Sequence, residues 1–179
     1  MKKFLGAIVS GLAGVLSLVF LSIPAFTVDL TISTEKYSGW KLLKTEDFDV
    51  IAKSTNKETL TALTWYRILT WILIVVAVVL IVLAVLQLLS ALKVVKMPAI
   101  IDTAAKYALI VLAVVSILAL IANIGIRSEI INTAKDLGLK DKALDAVKDM
   151  YAVGASLWIV AIVNAIAAVC GNLFAKKAK

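Results

Sequence analysis

The sequence predicts an all-α membrane protein. We expect a four-transmembrane-helix bundle, with a small extracellular cap of β-hairpin and helix in the first outer loop. Three observations predict it. Residues 4–24, 68–92, 107–126 and 151–174 are apolar runs without a single Asp, Glu, Lys, Arg or His. A helix rises about 1.5 Å per residue, so each run can cross a hydrocarbon core of about 30 Å. Lipid offers the backbone no hydrogen-bond partners, which leaves helices as the spanning form. The second observation is composition: 62% of the 179 residues are hydrophobic, far above the share of a soluble domain. The third is the placement of charge.

The net charge is +7. Lys2 and Lys3 precede the first run, Lys93, Lys96 and Lys106 lie between the second and third, and Lys176, Lys177 and Lys179 follow the fourth. Only Asp102 opposes them. In 25–66, Lys36, Lys41, Lys44, Lys53, Lys57 and Arg67 at its edge balance Asp29, Glu35, Glu46, Asp47, Asp49 and Glu58. In 127–150, five basic residues likewise meet five acids. The whole excess therefore sits on one side. The positive-inside rule puts both termini and the middle loop in the cytoplasm and the two longer loops outside. The charge thus reports topology rather than a nucleic-acid partner. The inner lysines also suit anionic lipid.

The first run (4–24) resembles a secretory signal, since two lysines precede it and Ile23-Pro24-Ala25 is a passable cleavage context. It is longer than a usual signal core, so we expect a retained span. Gly6, Ser10 and Gly14 recur every four residues along it, with Ala7 and Gly11 beside them. Small residues at this spacing let helix backbones approach closely, and we expect a helix-packing face.

Residues 25–66 form the first outer loop. Val28, Leu30 and Ile32 alternate with Asp29, Thr31 and Ser33, the period of a strand. Lys36-Tyr37-Ser38-Gly39 reads as a turn and Trp40-Lys41-Leu42-Leu43 as the returning strand. Thr45 reads as a helix cap, and Thr55-Asn56-Lys57-Glu58 as a capping box opening a further helix. Tyr37, Trp40, Leu42 and Leu43 are the outer-loop interaction candidates. We expect Trp40 to pack between the hairpin and the helix ends.

The layout resembles the claudin and peripheral-myelin-protein group of tetraspans. Those have four spans, inner termini and a first outer loop holding a small sheet, and Gly39-Trp40 parallels part of their Gly-Leu-Trp. The chain departs from that group in lacking its paired loop cysteines, and Ser38-Gly39 precedes the tryptophan here. The resemblance implies the layout alone.

The second run (68–92) opens beside Trp65, Tyr66 and Trp71, aromatic rings that suit a membrane interface. Pro98 can open the next helix, leading to the third run (107–126). Residues 127–150 form the second outer loop, where Lys and Asp alternate around Ala143, Leu144 and Val147; it reads as an amphipathic helix continuing into the fourth run (151–174). Ala161, Asn164, Ala165 and Ala168 share one face there, and Asn164 near mid-membrane is expected to join helices. Cys170 is the single cysteine, which excludes an internal disulfide. This absence, with that of any N-x-Ser/Thr acceptor, suggests a bacterial plasma membrane.

No histidine occurs, and no ionisable residue lies within a run. Proton relays, voltage sensors and most ion-coupled transporters need such residues. We expect no enzyme, metal or cofactor. The expected role is a non-catalytic membrane protein working through helix–helix and outer-loop contacts, as an accessory subunit or an immunity-type protein. Its partners would be the bilayer and another membrane protein or a second copy. The alternative is a homo-oligomeric channel lined by Ser116, Asn123 and Asn164.

Overall fold

The computed structural model describes residues 2–30, 33–53, 59–95 and 98–176. Helix α1 (Lys2–Phe20) leads into strands β1 (Pro24–Leu30) and β2 (Ser33–Ser38). Two short helices follow, α2 (Gly39–Lys44) and α3 (Asp49–Lys53), then two long ones, α4 (Thr61–Ala91) and α5 (Ile100–Asp136). Helix α6 (Asp141–Met150), strand β3 (Tyr151–Val153) and helix α7 (Ala155–Lys176) come last.

Three helices are long and apolar enough to cross a membrane: α4, α5 and α7, the last over Ala155–Leu173. Helix α1 carries a shorter apolar stretch, Phe4–Phe20. The sequence reading carried this run to residue 24, but Pro24 cannot continue a helix and biases the residue before it towards extended geometry. The backbone contacts divide the chain into two compact units.

One unit comprises Met1–Phe20, Trp71–Ile117 and Ile159–Lys179. Small residues bring its helices together. A Cβ on Gly14 would stand 2.7 Å from the Ala77 carbonyl oxygen and 2.8 Å from Ile81 Cγ1, so the backbones of α1 and α4 nearly touch. A Cβ on Gly171 would come within 2.6 Å of Leu109 Cδ1. Such close approach supplies the dispersion contacts that associate helices in lipid. Along α4, Leu73, Ala77, Leu80 and Ala84 are buried at helical spacing, while Val75, Val78, Val82 and Val85 are exposed. The exposed face is as apolar as the buried one, as lipid contact requires.

The other unit comprises Leu21–Thr70 and Leu118–Trp158. Its sheet has the order β2-β1-β3, antiparallel throughout. Phe26 faces Tyr37 on one side and Val153 on the other. Phe26 is fully buried and meets Phe48 edge-on, with ring centroids 5.7 Å apart. Tyr37 closes on Phe48 at 5.1 Å.

Three expectations are corrected here. The returning strand is Ser33–Ser38, not Trp40–Leu43, because Leu30 already pairs with Ser33. Residues Trp40–Leu43 instead lie in α2, whose N-terminus Ser38 caps: its Oγ accepts from Lys41 N–H at 3.2 Å. The helix buries Leu42 completely, which a solvent-side strand would not. Next, α6 does not run into α7. Tyr151–Val153 interrupts them as an edge strand on β1, the free side of which needed a partner. Lastly, α5 continues past residue 126 to Asp136. Two residues beyond its end, Gly138 has a φ of +86°, which suits the left-handed position that follows a helix. The expected capping box at residues 55–58, the strand residues Thr31 and Ile32, and Lys96, Lys177 and Lys179 lie outside the described residues.

Candidate functional site

The second unit holds the arrangement with most chemistry, and three charged side chains at helix ends define it. Glu129 of α5 accepts from the backbone N–H of Thr61 at 3.1 Å and of Ala62 at 2.8 Å. These are first-turn donors of α4, which have no partner within their own helix. A carboxylate there also complements the helix dipole. Arg67 of α4 does the converse for α2: its guanidinium donates to the carbonyls of Leu42 (3.3 Å) and Thr45. Arg127 of α5 donates to the carbonyls of Lys148 (2.9 Å) and Tyr151 (2.7 Å), where α6 ends and β3 begins. Thus α4 and α5 fix each other and two short elements through main-chain groups.

Just inside this zone, α4 and α5 open a crevice of about 620 Å³. Small residues shape its floor: a Cβ on Gly125 would meet Ala62 Cβ at 3.1 Å, and Ala122 lies one turn away. Leu69, Leu118 and Ile121 line one end, and Thr61, Ser128, Glu129 and Asn132 line the other. Trp65, 58% exposed, stands at its side. Trp71 is likewise exposed, in keeping with an interfacial ring, but Tyr66 is fully buried and takes no interfacial position.

Of the outer-loop candidates, Trp40 is the most exposed, at 36%, so roughly two thirds of its surface is covered. Tyr37 and Leu42 are buried and Leu43 half-buried. The Tyr37 hydroxyl donates to Asp47 Oδ2 at 3.0 Å. Burial first, then this bond and the nearby acids, push the Tyr37 hydroxyl up to about 12. Hydrogen bonds from Thr45 and Tyr37 hold the Asp47 carboxyl below the usual carboxylate range.

The helix-packing candidates belong to the first unit. Gly14 makes the close approach described above, and Ser10 is buried, but a Cβ on Gly6 would meet nothing within 4 Å. Gly6 thus makes no close approach, while Ala7 and Ser10 are buried and a Cβ on Gly11 would meet Ala84 Cβ at 3.4 Å. Ala161, Asn164 and Ala168 are buried and Ala165 half-buried. Asn164 Nδ2 donates to Ser17 Oγ at 3.0 Å, and the Ser17 hydroxyl bonds the Ala13 carbonyl at 2.8 Å. Ser17, which sequence reasoning missed, continues the small-residue spacing three residues beyond Gly14. Gln87 Nε2 donates to Asp102 Oδ1 at 3.0 Å across the turn between α4 and α5.

The polar residues expected to line a pore are inside the protomer. Ser116 bonds the Ala113 carbonyl at 2.9 Å, and Asn123 is fully buried with no partner for either amide atom among the described residues. Among the described residues no cluster of metal-ligating side chains occurs. Comparison of the chain with protein-family models, curated proteins and solved structures finds no match.

Proposed function

We propose that this protein is a non-catalytic, multi-pass plasma-membrane protein that acts by contact, as an accessory subunit of a membrane complex or an immunity-type protein. In this reading α1 joins α4, α5 and α7 as a fourth span. Both termini face the cytoplasm and the sheet-bearing unit faces out, a reading supported by the one-sided lysine excess. The eight lysines would then meet anionic headgroups. The observation that carries the reading is where polar groups lie. Ser17, Ser116 and Asn164 bond within the protomer, and the exposed faces of the spans are apolar. Such faces suit lipid or another helix, not a conducting path, so nothing favours the channel alternative. At the outer surface, exposed Trp40 and the amphipathic α6, which buries no residue fully, are available to a partner.

Purification in a mild detergent tests this. A stoichiometric foreign membrane protein, lost on Trp40→Ala while the chain stays folded, supports it. A closed homo-oligomer that conducts ions in planar bilayers refutes it. Topology is tested separately with cysteines in place of Lys140 and Lys93 in a Cys170→Ala background. Lys140→Cys should label in intact cells and Lys93→Cys only after permeabilisation.

A further inference from the structure

We propose that Trp40, Trp65 and Trp158 form a belt that seats the sheet-bearing unit in the headgroup layer of the outer leaflet, with phospholipid ester and phosphate groups as its partner. All three belong to that unit. None of the chain's four tryptophans is buried; Phe26, Phe48, Tyr37 and Tyr66 supply buried rings instead. An indole is an apolar body with one N–H donor. It suits the boundary where acyl chains give way to ester carbonyls.

The three rings share a depth because the chain ties their elements together. The backbone N–H of Trp40 donates to the Leu21 carbonyl at 3.3 Å, and a Cβ on Gly39 would stand 2.7 Å from Leu21 Cδ2. So α2 starts against the residue that follows α1. Gly154 N–H donates to the Ala25 carbonyl at 2.8 Å and Ser156 Oγ to the Pro24 carbonyl at 2.9 Å, with Trp158 two residues further along α7. Trp40 and Trp158 are thus both tied to residues 21–25, just past the apolar stretch of α1. On α4, Arg67 donates to the carbonyls of Leu42 and Thr45, so this helix meets the end of α2 two residues beyond Trp65.

Helix lengths place that depth at the membrane boundary. From Lys3 to Phe20 is about 26 Å of helix, and from Trp158 to Lys176 about 27 Å, at 1.5 Å per residue. Both approach the hydrocarbon thickness of about 30 Å, with lysine at the inner end of each. Lys44 is exposed one turn beyond Trp40 on the same face of α2, where it offers a cation to a lipid phosphate. This proposal rests on the membrane reading, and the two fail in distinguishable ways. It also deepens that reading: a protein that contacts Trp40 must approach it within the plane of the membrane.

The test places the full chain in nanodiscs of phosphatidylcholine whose acyl chains carry bromine either close to the ester or close to the chain end. Tryptophan emission is recorded in each, and in unbrominated discs with iodide in the water. The expected result is the largest loss of emission from bromine close to the ester, with smaller losses from bromine at the chain end and from iodide. Trp40→Phe, Trp65→Phe and Trp158→Phe should each remove part of that largest loss. All three rings are exposed, so phenylalanine is tolerated, and the profile of the parent chain stands whatever the variants do. Iodide quenching stronger than that by either bromolipid would overturn the proposal, as would the deepest bromine quenching most. So would a loss to ester-level bromine that Trp40→Phe or Trp158→Phe leaves whole, which would put that ring in water or under a protein. Failure of the parent chain to enter the discs at all would instead refute the membrane reading.

Discussion

Replacing Gly14 by alanine should destabilise the protein, although alanine is the better helix former. Two effects oppose each other. Gly→Ala in a helix interior is favoured by about 1 kcal/mol. Against this, the new Cβ would stand 2.7 Å from the Ala77 carbonyl oxygen and 2.8 Å from Ile81 Cγ1, where ordinary contact begins at 3.4 Å. The overlap of 0.7 Å falls on backbone, which cannot rotate away, so α1 and α4 must separate. Overpacking of this kind costs about 1–3 kcal/mol. The net loss is then up to about 2 kcal/mol, or several degrees in Tm at about 2–4 °C per kcal/mol for a chain this size.

Gly6→Ala is the internal control. It lies on the same helix, and its Cβ would meet nothing within 4 Å, so only the propensity gain remains. Thermal unfolding of both variants in one detergent isolates the steric part as their difference, about 1–3 kcal/mol. If Gly14→Ala raises Tm as much as Gly6→Ala does, the α1–α4 backbones are not in contact. The packing argument for α1 as a fourth span then fails with it.

Three further outcomes follow from the same geometry. Arg127→Met removes two charge-assisted bonds to main-chain carbonyls and should cost roughly 1.5–3 kcal/mol; α6 should lose hydrogen-exchange protection first, and unchanged protection at 141–150 would refute the assignment. Asn123→Leu replaces a buried, unpartnered amide by an apolar side chain of similar volume and should raise stability by about 1–3 kcal/mol, whereas a loss would mean that Asn123 holds a bound polar group. For pH, Tyr37 is raised to about 12 in the folded chain, so its contribution is intact below its ordinary value near 10 and fades as pH climbs towards 12. Asp47 is lowered, so its contribution is present above the usual carboxylate range and fades as pH falls through it. In an absorbance titration, Tyr37→Phe should remove amplitude near pH 12; removal near pH 10 instead would contradict the burial of the ring.

The long apolar helices were legible in the sequence because length and composition alone decide them. The presence of a hairpin after α1 was legible too, since Val28 and Leu30 alternate with polar neighbours. Its register was not. Tyr37 is buried against Phe48 and belongs to a strand, yet it sits in a Lys-Tyr-Ser-Gly string that reads as a turn. Only the pairing with β1 fixes it. Strand β3 was invisible for a different reason. Tyr151-Ala152-Val153 is apolar and continuous with the apolar run that follows, so composition cannot part three strand residues from a helix. Gly154 marks the junction: its N–H bonds the Ala25 carbonyl at 2.8 Å, and a Cβ there would strike the Pro24 carbonyl. The constraint comes from a strand more than a hundred residues away.

The charged anchors were hidden by the very balance from which the topology is proposed. Arg67, Arg127 and Glu129 enter the sequence reading as parts of loops whose charges cancel, which describes a solvated surface. In the structure each reaches main-chain atoms, Glu129 across 67 residues to Ala62 and Arg127 across 21 to Lys148. A helix end needs a charge of particular sign at a particular point, and net charge carries no information about either. The two readings are compatible because they act at different ranges. The lysine excess biases how the chain enters the membrane, through a field that sums over residues. Individual charges at the ends of α4 and α5 instead hold the short elements of the sheet-bearing unit. Reversing Glu129 to Lys would leave orientation to the inner lysines, which still outnumber acids on their side. It would place a cation against the N-terminus of α4, where the helix dipole already carries positive charge. That variant should insert with its ordinary topology and yet lose the order of the α4–α5 outer ends. Inverted labelling at Lys140→Cys would show that the two ranges are not separable.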